Sequence, residues 1–80
     1  MDKKNSGVGV LDKAVRILSV LEGGPHSLAE LVKATKIARP TAHRLAVALE
    51  FHRLVARDLS GRFILGPRSG ELAAAAGEDP

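Results

Sequence analysis

Residues 27–49, SLAELVKATKIARPTAHRLAVAL, contain the pattern that decides the fold of this 80-residue chain. Ser27 followed by Glu30 is the signature of a capping box, which predicts the start of a helix. That helix is short and is expected to end near Thr35. After a tight turn, Pro40 indicates the start of another helix, because proline is tolerated in the first helical turn.

Apolar spacing predicts one buried face for each of these helices. In the first helix the apolar residues are Leu28, Leu31 and Val32. In the second they recur at i, i+3, i+4 and i+7, as Ala42, Leu45, Ala46 and Leu49. The opposite face of the second helix is polar and basic at its N-terminal half, where it carries Arg39, Thr41, His43 and Arg44.

A further helix is predicted upstream of this stretch. Helical spacing places one apolar face on Leu11, Ala14, Val15, Leu18 and Leu21. Residues 23–25, Gly-Gly-Pro, end this helix, because glycine suits a left-handed cap and proline cannot continue a helix. Residues 1–7 are mostly polar and are interpreted as a disordered arm.

Downstream, the pattern changes to that of short strands. Leu54–Arg57 and Arg62–Leu65 are the predicted strands, and residues 58–61, Asp-Leu-Ser-Gly, have turn chemistry. An alanine-rich helix is expected over residues 68–76. This order of elements predicts a mainly α fold with a small β-hairpin, a winged helix-turn-helix over residues 8–66.

Positive charge is concentrated in the second part of the chain. There are 12 Lys and Arg against 9 Asp and Glu, and from Lys36 to Arg68 seven bases and two acids give a net charge of +5. The charge favours a polyanionic partner, although an ordinary solvated surface is an equal alternative. Because Phe51 and Phe63 are the only aromatic residues, single-strand binding by base stacking is disfavoured.

In a winged helix-turn-helix the third helix enters the major groove, which makes its polar face the candidate DNA contact. Arg44 is the first choice for base contact, because arginine can bond guanine at two atoms. Thr41 either contacts DNA or bonds its own helix. His43 either faces DNA or packs against the neighbouring helix. Arg39 is placed to hold phosphate at the helix N-terminus.

Arg57 and Arg62 lie near the hairpin tip, where they can reach phosphates or a minor groove. Their alternative role is to protect the sheet edge from aggregation. Ser27 and Glu30 are interpreted as structural capping residues.

The sequence contains few residues suited to metal binding, dinucleotide binding or membrane spanning. The chain has no cysteine, and His26, His43 and His52 lack metal-ligand spacing. Residues 7–9, Gly-Val-Gly, lack the third glycine of a dinucleotide fingerprint. The longest apolar run has five residues, too few to span a bilayer. We therefore expect a cytoplasmic protein that is not an enzyme and needs no metal or cofactor.

Four segments carry a family resemblance: residues 28–31 (LAEL), residues 39–45 (RPTAHRL), residues 55–58 (VARD) and residues 61–67 (GRFILGP). From about Val8 to Leu72 the chain resembles the DNA-binding domain of IclR-type bacterial transcription regulators. Within that family it is most similar to the actinobacterial NdgR/AreB group, which is linked to control of leucine and other amino-acid biosynthesis.

The resemblance implies a dimer or tetramer that binds a pseudo-palindromic double-stranded DNA operator. It also implies a larger C-terminal domain that senses a small-molecule effector, so that residues 67–80 are the start of a linker helix to a domain absent from this chain. Thr41, His43 and Arg44 match the family's recognition-helix positions, and Arg62 matches its wing. The sign of regulation depends on operator position.

Three positions depart from the family pattern. Pro40 stands where the family often has serine or threonine. It is nevertheless one of the residues predicted to face DNA. Lys36 and Arg53 stand where glycine is common. A left-handed backbone there would cost roughly 1–2 kcal/mol each, unless the turns differ or new phosphate contacts offset the strain.

Two other functions use the same fold. A winged helix can be a protein-interaction module, and a double-stranded RNA binder is a weaker alternative. Arg39 and Arg44 favour DNA, because DNA binders need cations on the third helix. A steep fall in affinity with salt would support DNA, and a salt-insensitive protein partner would support the interaction module. The first helix is the candidate dimer contact.

Overall fold

A computed structural model describes residues 6–77, which form a helical domain with one small sheet. Helices α1 (Gly9–Leu21), α2 (Leu28–Thr35) and α3 (Arg39–Phe51) come first, then strands β1 (Val55–Arg57) and β2 (Phe63–Leu65), then helix α4 (Pro67–Ala75). The predicted fold class is confirmed. No helix among the described residues is long and apolar enough to cross a membrane.

The capping box and the turn between α2 and α3 form as the sequence predicts. Ser27 Oγ accepts the Glu30 N–H at 3.1 Å, and Glu30 Oε1 accepts the Ser27 N–H at 2.8 Å. The chain leaves α2 through Lys36, whose φ is 62°. The buried Thr35 hydroxyl then accepts the N–H of Ile37 at 3.2 Å, which directs the Ile37 side chain into the core.

One core joins all elements except α4. Its buried members are Ile17, Leu21, Leu31, Ile37, Ala42, Ala46, Leu49, Val55 and Phe63. The predicted stripe of α3 is confirmed, with Leu45 half-buried beside the three buried residues. This packing fixes which side of α3 faces outward.

The predicted face of α1 is partly wrong. Ile17, which was not assigned to it, is fully buried, whereas Leu11 and Val15 are 54% and 49% exposed. Only the second half of the helix lies over the core, so Ile17 and Leu21, one turn apart, form the buried contact. In the first half, Ala14 packs against the edge of the core, whereas Val10 and Leu11 remain outside it.

Most of the predicted disordered arm, residues 1–5, lies outside the described residues. Its end at Ser6 is hydrogen-bonded to α1. The Ser6 hydroxyl donates to the Asp12 carboxylate at 2.6 Å, and the Ser6 N–H donates to it at 3.0 Å.

The strands are shorter than predicted, because Leu54 and Arg62 lie outside the ladder. They pair antiparallel, with Arg57 opposite Phe63. Phe63 also exchanges two backbone hydrogen bonds with His26, at 3.0 and 2.8 Å, which adds a bridge that the sequence did not predict. The hairpin is thereby tied to the segment before α2.

Helix α4 begins at Pro67, one residue earlier than expected. Its start is fixed by backbone hydrogen bonds of 2.9 Å from Gly66 to Leu54 and from Arg68 to Arg53. A Cβ atom on Gly66 would overlap the Arg53 carbonyl oxygen, so only glycine allows this close approach.

Candidate nucleic-acid interface

The N-terminal half of α3 brings together most of the residues predicted to contact DNA. They are Arg39, Pro40, Thr41, His43 and Arg44. All are exposed except Thr41, which is half-buried. Ala42 and Ala46 are buried on the opposite side and hold α3 in this rotation. The sequence-predicted polar face is therefore an outward surface.

In the part of the chain that the structure describes, no protein group competes for the arginines at this end of α3. Within residues 6–77, the Arg39 and Arg44 side chains form no hydrogen bond or ion pair. The first turn contains no acidic residue, and Ala38 at the N-cap offers no side-chain hydrogen bond to the free N–H groups. Those N–H groups and the positive end of the helix dipole favour an anion.

His43 is exposed and does not pack against the neighbouring helix, which removes one of its two predicted roles. With Pro40, Arg44 and Val47 it lines a shallow, open groove along α3. Val47 was not singled out from the sequence, although its spacing from His43 and Arg44 places it on the same helix face. Val47 thus adds an apolar group to the polar surface, one helical turn beyond His43.

The Arg57 side chain on the hairpin is held by the protein itself. Its Nε lies 3.3 Å from Glu50 Oε1, and its guanidinium carbon lies 4.5 Å from the centre of the Phe63 ring. Glu50 is at the end of α3, so the pair ties the hairpin to that helix. This partner could not be predicted from sequence spacing, because a turn separates α3 from β1.

Arg62 forms no ion pair within the described residues but lies near two carboxylates. The pKa of Glu30 is lowered, first by the hydrogen bond from the Ser27 backbone and also by the Arg62 charge. The pKa of Asp58 is lowered, first by the hydrogen bond from the Ser60 hydroxyl and then by the Arg62 backbone N–H and charge. Of the two hairpin arginines, Arg57 is therefore paired within the protein, whereas Arg62 has no ion pair among the described residues.

Both non-glycine residues at family glycine positions have a left-handed backbone. Lys36 has φ 62° and Arg53 has φ 64°, so the strain is present at both turns. Arg53 binds the Glu71 carboxylate at 3.1 Å, and Arg68 binds it at 3.1 Å as well. The two arginines, Arg68 first, lower the pKa of Glu71. A phosphate contact by Arg53 would have to replace this ion pair.

A second supporting contact also escaped the sequence analysis. Arg16 of α1 donates to the carbonyl oxygen of Thr35 at 2.8 Å, at the C-terminal end of α2. A cation suits the negative end of the helix dipole there. The contact fixes α1 to the turn that precedes α3.

A tight turn between two helices, with a hairpin packed beside the second of them, defines the winged helix-turn-helix class of DNA-binding domain. Residues 10–59, more than half of the chain, match the family model described as the IclR helix-turn-helix domain. The chain belongs to the IclR family, as the sequence resemblance implied.

Solved structures agree with this assignment. The repressor BlcR of Agrobacterium tumefaciens is 30% identical over 89% of this chain and 29% of its own, with a TM-score of 0.78. An IclR transcriptional regulator from Alicyclobacillus acidocaldarius is 28% identical over 89% of this chain and 30% of its own, with a TM-score of 0.82.

BpsR of Bordetella bronchiseptica shares the fold at 24% identity over 95% of this chain and 56% of its own, with a TM-score of 0.66. No curated protein sequence gives a significant match. The chain spans about three tenths of the length of BlcR and the Alicyclobacillus regulator.

Proposed function

We propose that this domain binds double-stranded DNA sequence-specifically as part of a bacterial transcription regulator. The observation that carries the proposal is the pair of exposed arginines, Arg39 and Arg44, without a protein partner among residues 6–77. They flank a helix N-terminus whose N–H groups favour phosphate. No comparable cluster of exposed cations without partners faces outward on α1 or α4 as described.

In this mechanism α3 enters the major groove by its N-terminal half. Arg44 bonds the O6 and N7 atoms of a guanine, and Thr41 bonds a phosphate or contacts a thymine methyl group. Arg39 holds a phosphate at the helix N-terminus, and His43 and Pro40 face the groove beside it. Arg44 thus determines which base pair is preferred, and Arg39 determines how α3 is positioned along the DNA.

The hairpin takes the position of the wing beside the major-groove helix. Arg62 is the better candidate for phosphate or minor-groove contact, because it forms no direct ion pair among the described residues. Arg57 would have to exchange Glu50 for a phosphate. We therefore assign Arg57 a weaker direct role than Arg62.

The domain acts as a homodimer through α1 in this proposal. The N-cap Val8 and the helix residues Val10, Leu11 and Val15 expose apolar side chains. A second copy covering this face would bring the two α3 helices to half-sites about one helical turn apart, ~34–36 Å. Leu11→Lys should shift the sedimentation coefficient towards the monomer if this face is the contact.

The sign of regulation, the small-molecule control and the target genes are inferred from similar proteins. BlcR is described as a repressor, and the DNA binding of BpsR is regulated by 6-hydroxynicotinic acid. We infer repression and small-molecule control through a C-terminal effector domain, in the cytoplasm. The sequence resemblance to the NdgR/AreB group supports amino-acid metabolism genes of the leucine type as targets, which sequencing of protein-bound genomic DNA would test.

A selection from random DNA duplexes tests the DNA-binding proposal. Wild-type protein should enrich a two-fold-related motif, and Arg44→Ala should lose it with roughly a 10–100-fold weaker affinity. Arg68→Ala, on α4, is the control that removes a cation away from α3. Retention of no duplex at all would contradict the proposal and favour a protein partner, and preference for RNA duplexes would favour the RNA alternative.

A further inference from the structure

The tip of the hairpin, residues 58–61, presents one apolar side chain to solvent. Leu59 is fully exposed and has no side-chain contact that would shield it from water. A single exposed leucine is ordinary on a protein surface. Leu59 differs from other exposed leucines because it lies at the apex of a hairpin that packs beside α3, the candidate recognition helix.

The apex is rigidly built, so Leu59 is held outward. Asp58 Oδ1 accepts hydrogen bonds from the Ser60 N–H at 2.9 Å, the Ser60 hydroxyl at 2.7 Å and the Arg62 N–H at 3.0 Å. The Gly61 N–H donates to the Asp58 carbonyl at 3.0 Å, and the Asp58 N–H donates to the Arg62 carbonyl at 2.9 Å. This network leaves the tip little freedom to fold the leucine back.

The tip carries an apolar group between two arginines in different states. Arg57 is paired with Glu50 at 3.3 Å, so it would have to exchange that carboxylate for a phosphate. Arg62 has no direct ion pair among the described residues. Leu59 lies between the two arginines in the sequence and is the large apolar side chain that the tip presents to solvent.

We propose that Leu59 is a DNA-contacting residue that packs into the minor groove flanking the site read by α3. This inference rests on the proposed function. Apolar side chains, leucine among them, wedge into minor grooves in other DNA-binding proteins. The guanine 2-amino group projects into that groove, so Leu59 favours flanks without it. Its contribution to affinity does not depend on salt, because no counterion is released.

The test uses duplexes carrying the motif obtained from the random selection, with flanks of guanine–cytosine or inosine–cytosine pairs. Inosine lacks only the 2-amino group, so the major groove is unchanged. Affinity is measured by fluorescence anisotropy at several salt concentrations for wild type, Leu59→Ala and Leu72→Ala. Leu72, an exposed leucine on α4, is the matched control. Thermal unfolding checks that each variant folds.

Wild type and Leu72→Ala should bind the inosine flank more tightly than the guanine flank. Leu59→Ala should bind roughly tenfold more weakly, without flank preference and with an unchanged salt slope. Equal affinity and flank preference of Leu59→Ala and wild type would overturn the inference, as would a change in salt slope. If wild type retains no duplex at all, both the proposed function and this inference are wrong. If wild type binds DNA and Leu59→Ala binds equally well with the same flank preference, only this inference is wrong.

Discussion

The N-terminal half of α3 and its C-terminal end carry the same residue type, arginine, in opposite surroundings. Arg39 and Arg44 are exposed and make no ion pair within residues 6–77. Beyond the C-terminal end, Arg53 and Arg57 are paired with Glu71 and Glu50. We call the first region the open end and the second, together with the hairpin and the start of α4, the anchored end.

The difference shows that charge counted along a sequence is not charge available to a ligand. The net charge of +5 between Lys36 and Arg68 suggested one broad basic surface. In the structure, the anchored end uses its arginines to fix the hairpin and α4 onto α3. The open end keeps two exposed arginines that can neutralise phosphates, and on the hairpin only Arg62 has no ion pair among the described residues.

Gly66→Ala should have the largest effect on the anchored end. The added Cβ atom would overlap the Arg53 carbonyl and crowd the Val55 backbone, which cannot move without displacing the hairpin. We expect the free energy of unfolding to fall by about 2–3 kcal/mol, measured by denaturant titration.

The control for this substitution is Gly70→Ala in α4, where a Cβ atom would have no neighbour within 4 Å. It should raise stability by roughly 0.5–1 kcal/mol, because alanine is the better helix former. Equal effects of the two substitutions would show that the anchored end is loosely packed.

Arg57→Ala should distinguish anchoring from DNA contact. Loss of the Glu50 ion pair and the Phe63 ring contact should lower stability by about 1 kcal/mol, since both groups are partly exposed. The salt slope of DNA binding should stay unchanged. Arg39→Ala, at the open end, should instead reduce that slope by about 0.9. A similar reduction by Arg57→Ala would show that Arg57 leaves Glu50 for a phosphate.

The open end was largely predictable from the sequence because its features are local. The capping box fixes where α2 begins, the proline near the helix start marks the beginning of α3, and the Ala42 to Leu49 stripe fixes which side of α3 faces outward. The side of α1 that is buried was less predictable. Leu11 and Val15 fit a helical stripe as well as Ile17 does, and only the position of the core decides between them.

The anchored end was predicted as a set of elements but not as a set of contacts. The hairpin turn and strands follow from residues 54–65, within one residue at the N-terminal boundary of each strand. The Arg57–Glu50 and Arg53–Glu71 pairs join different elements, and the distances between elements depend on tertiary packing. Sequence spacing contains no signal for such pairs.

Lys36 and Arg53 both have a left-handed backbone, and replacement of each by glycine should separate backbone strain from the effect of the Arg53–Glu71 ion pair. Lys36→Gly should raise stability by roughly 0.5–1 kcal/mol, because relief of the left-handed strain exceeds the added entropy of the unfolded chain. Arg53→Gly should gain less, because it also loses the Glu71 ion pair. Denaturant titration of both variants measures the difference. A larger gain for Arg53→Gly would indicate that the Glu71 pair contributes nothing to stability.

Acid should weaken the molecule through carboxylates near the hairpin and α4 rather than through the open end. The pKa of Glu30 is lowered from its ordinary value of 4.5, first by the Ser27 backbone hydrogen bond. A lowered pKa in the folded state adds stability that is present above the ordinary value and is lost as pH falls through the lowered one. The thermal midpoint should therefore decrease below about pH 4.5.

Glu30→Gln isolates this contribution, because glutamine can also accept the Ser27 N–H in a capping box. Its stability near neutral pH should stay close to that of wild type, whereas its decline in acid should be shallower. Glu22→Gln, at an exposed glutamate with no side-chain hydrogen bond among the described residues, is the control and should follow the wild-type curve. Because α3 has no acidic residue in its first turn, the open end contributes no carboxylate to this titration. A Glu30→Gln curve parallel to wild type would place the acid sensitivity on Asp58 and Glu71, whose pKa values are lowered as well.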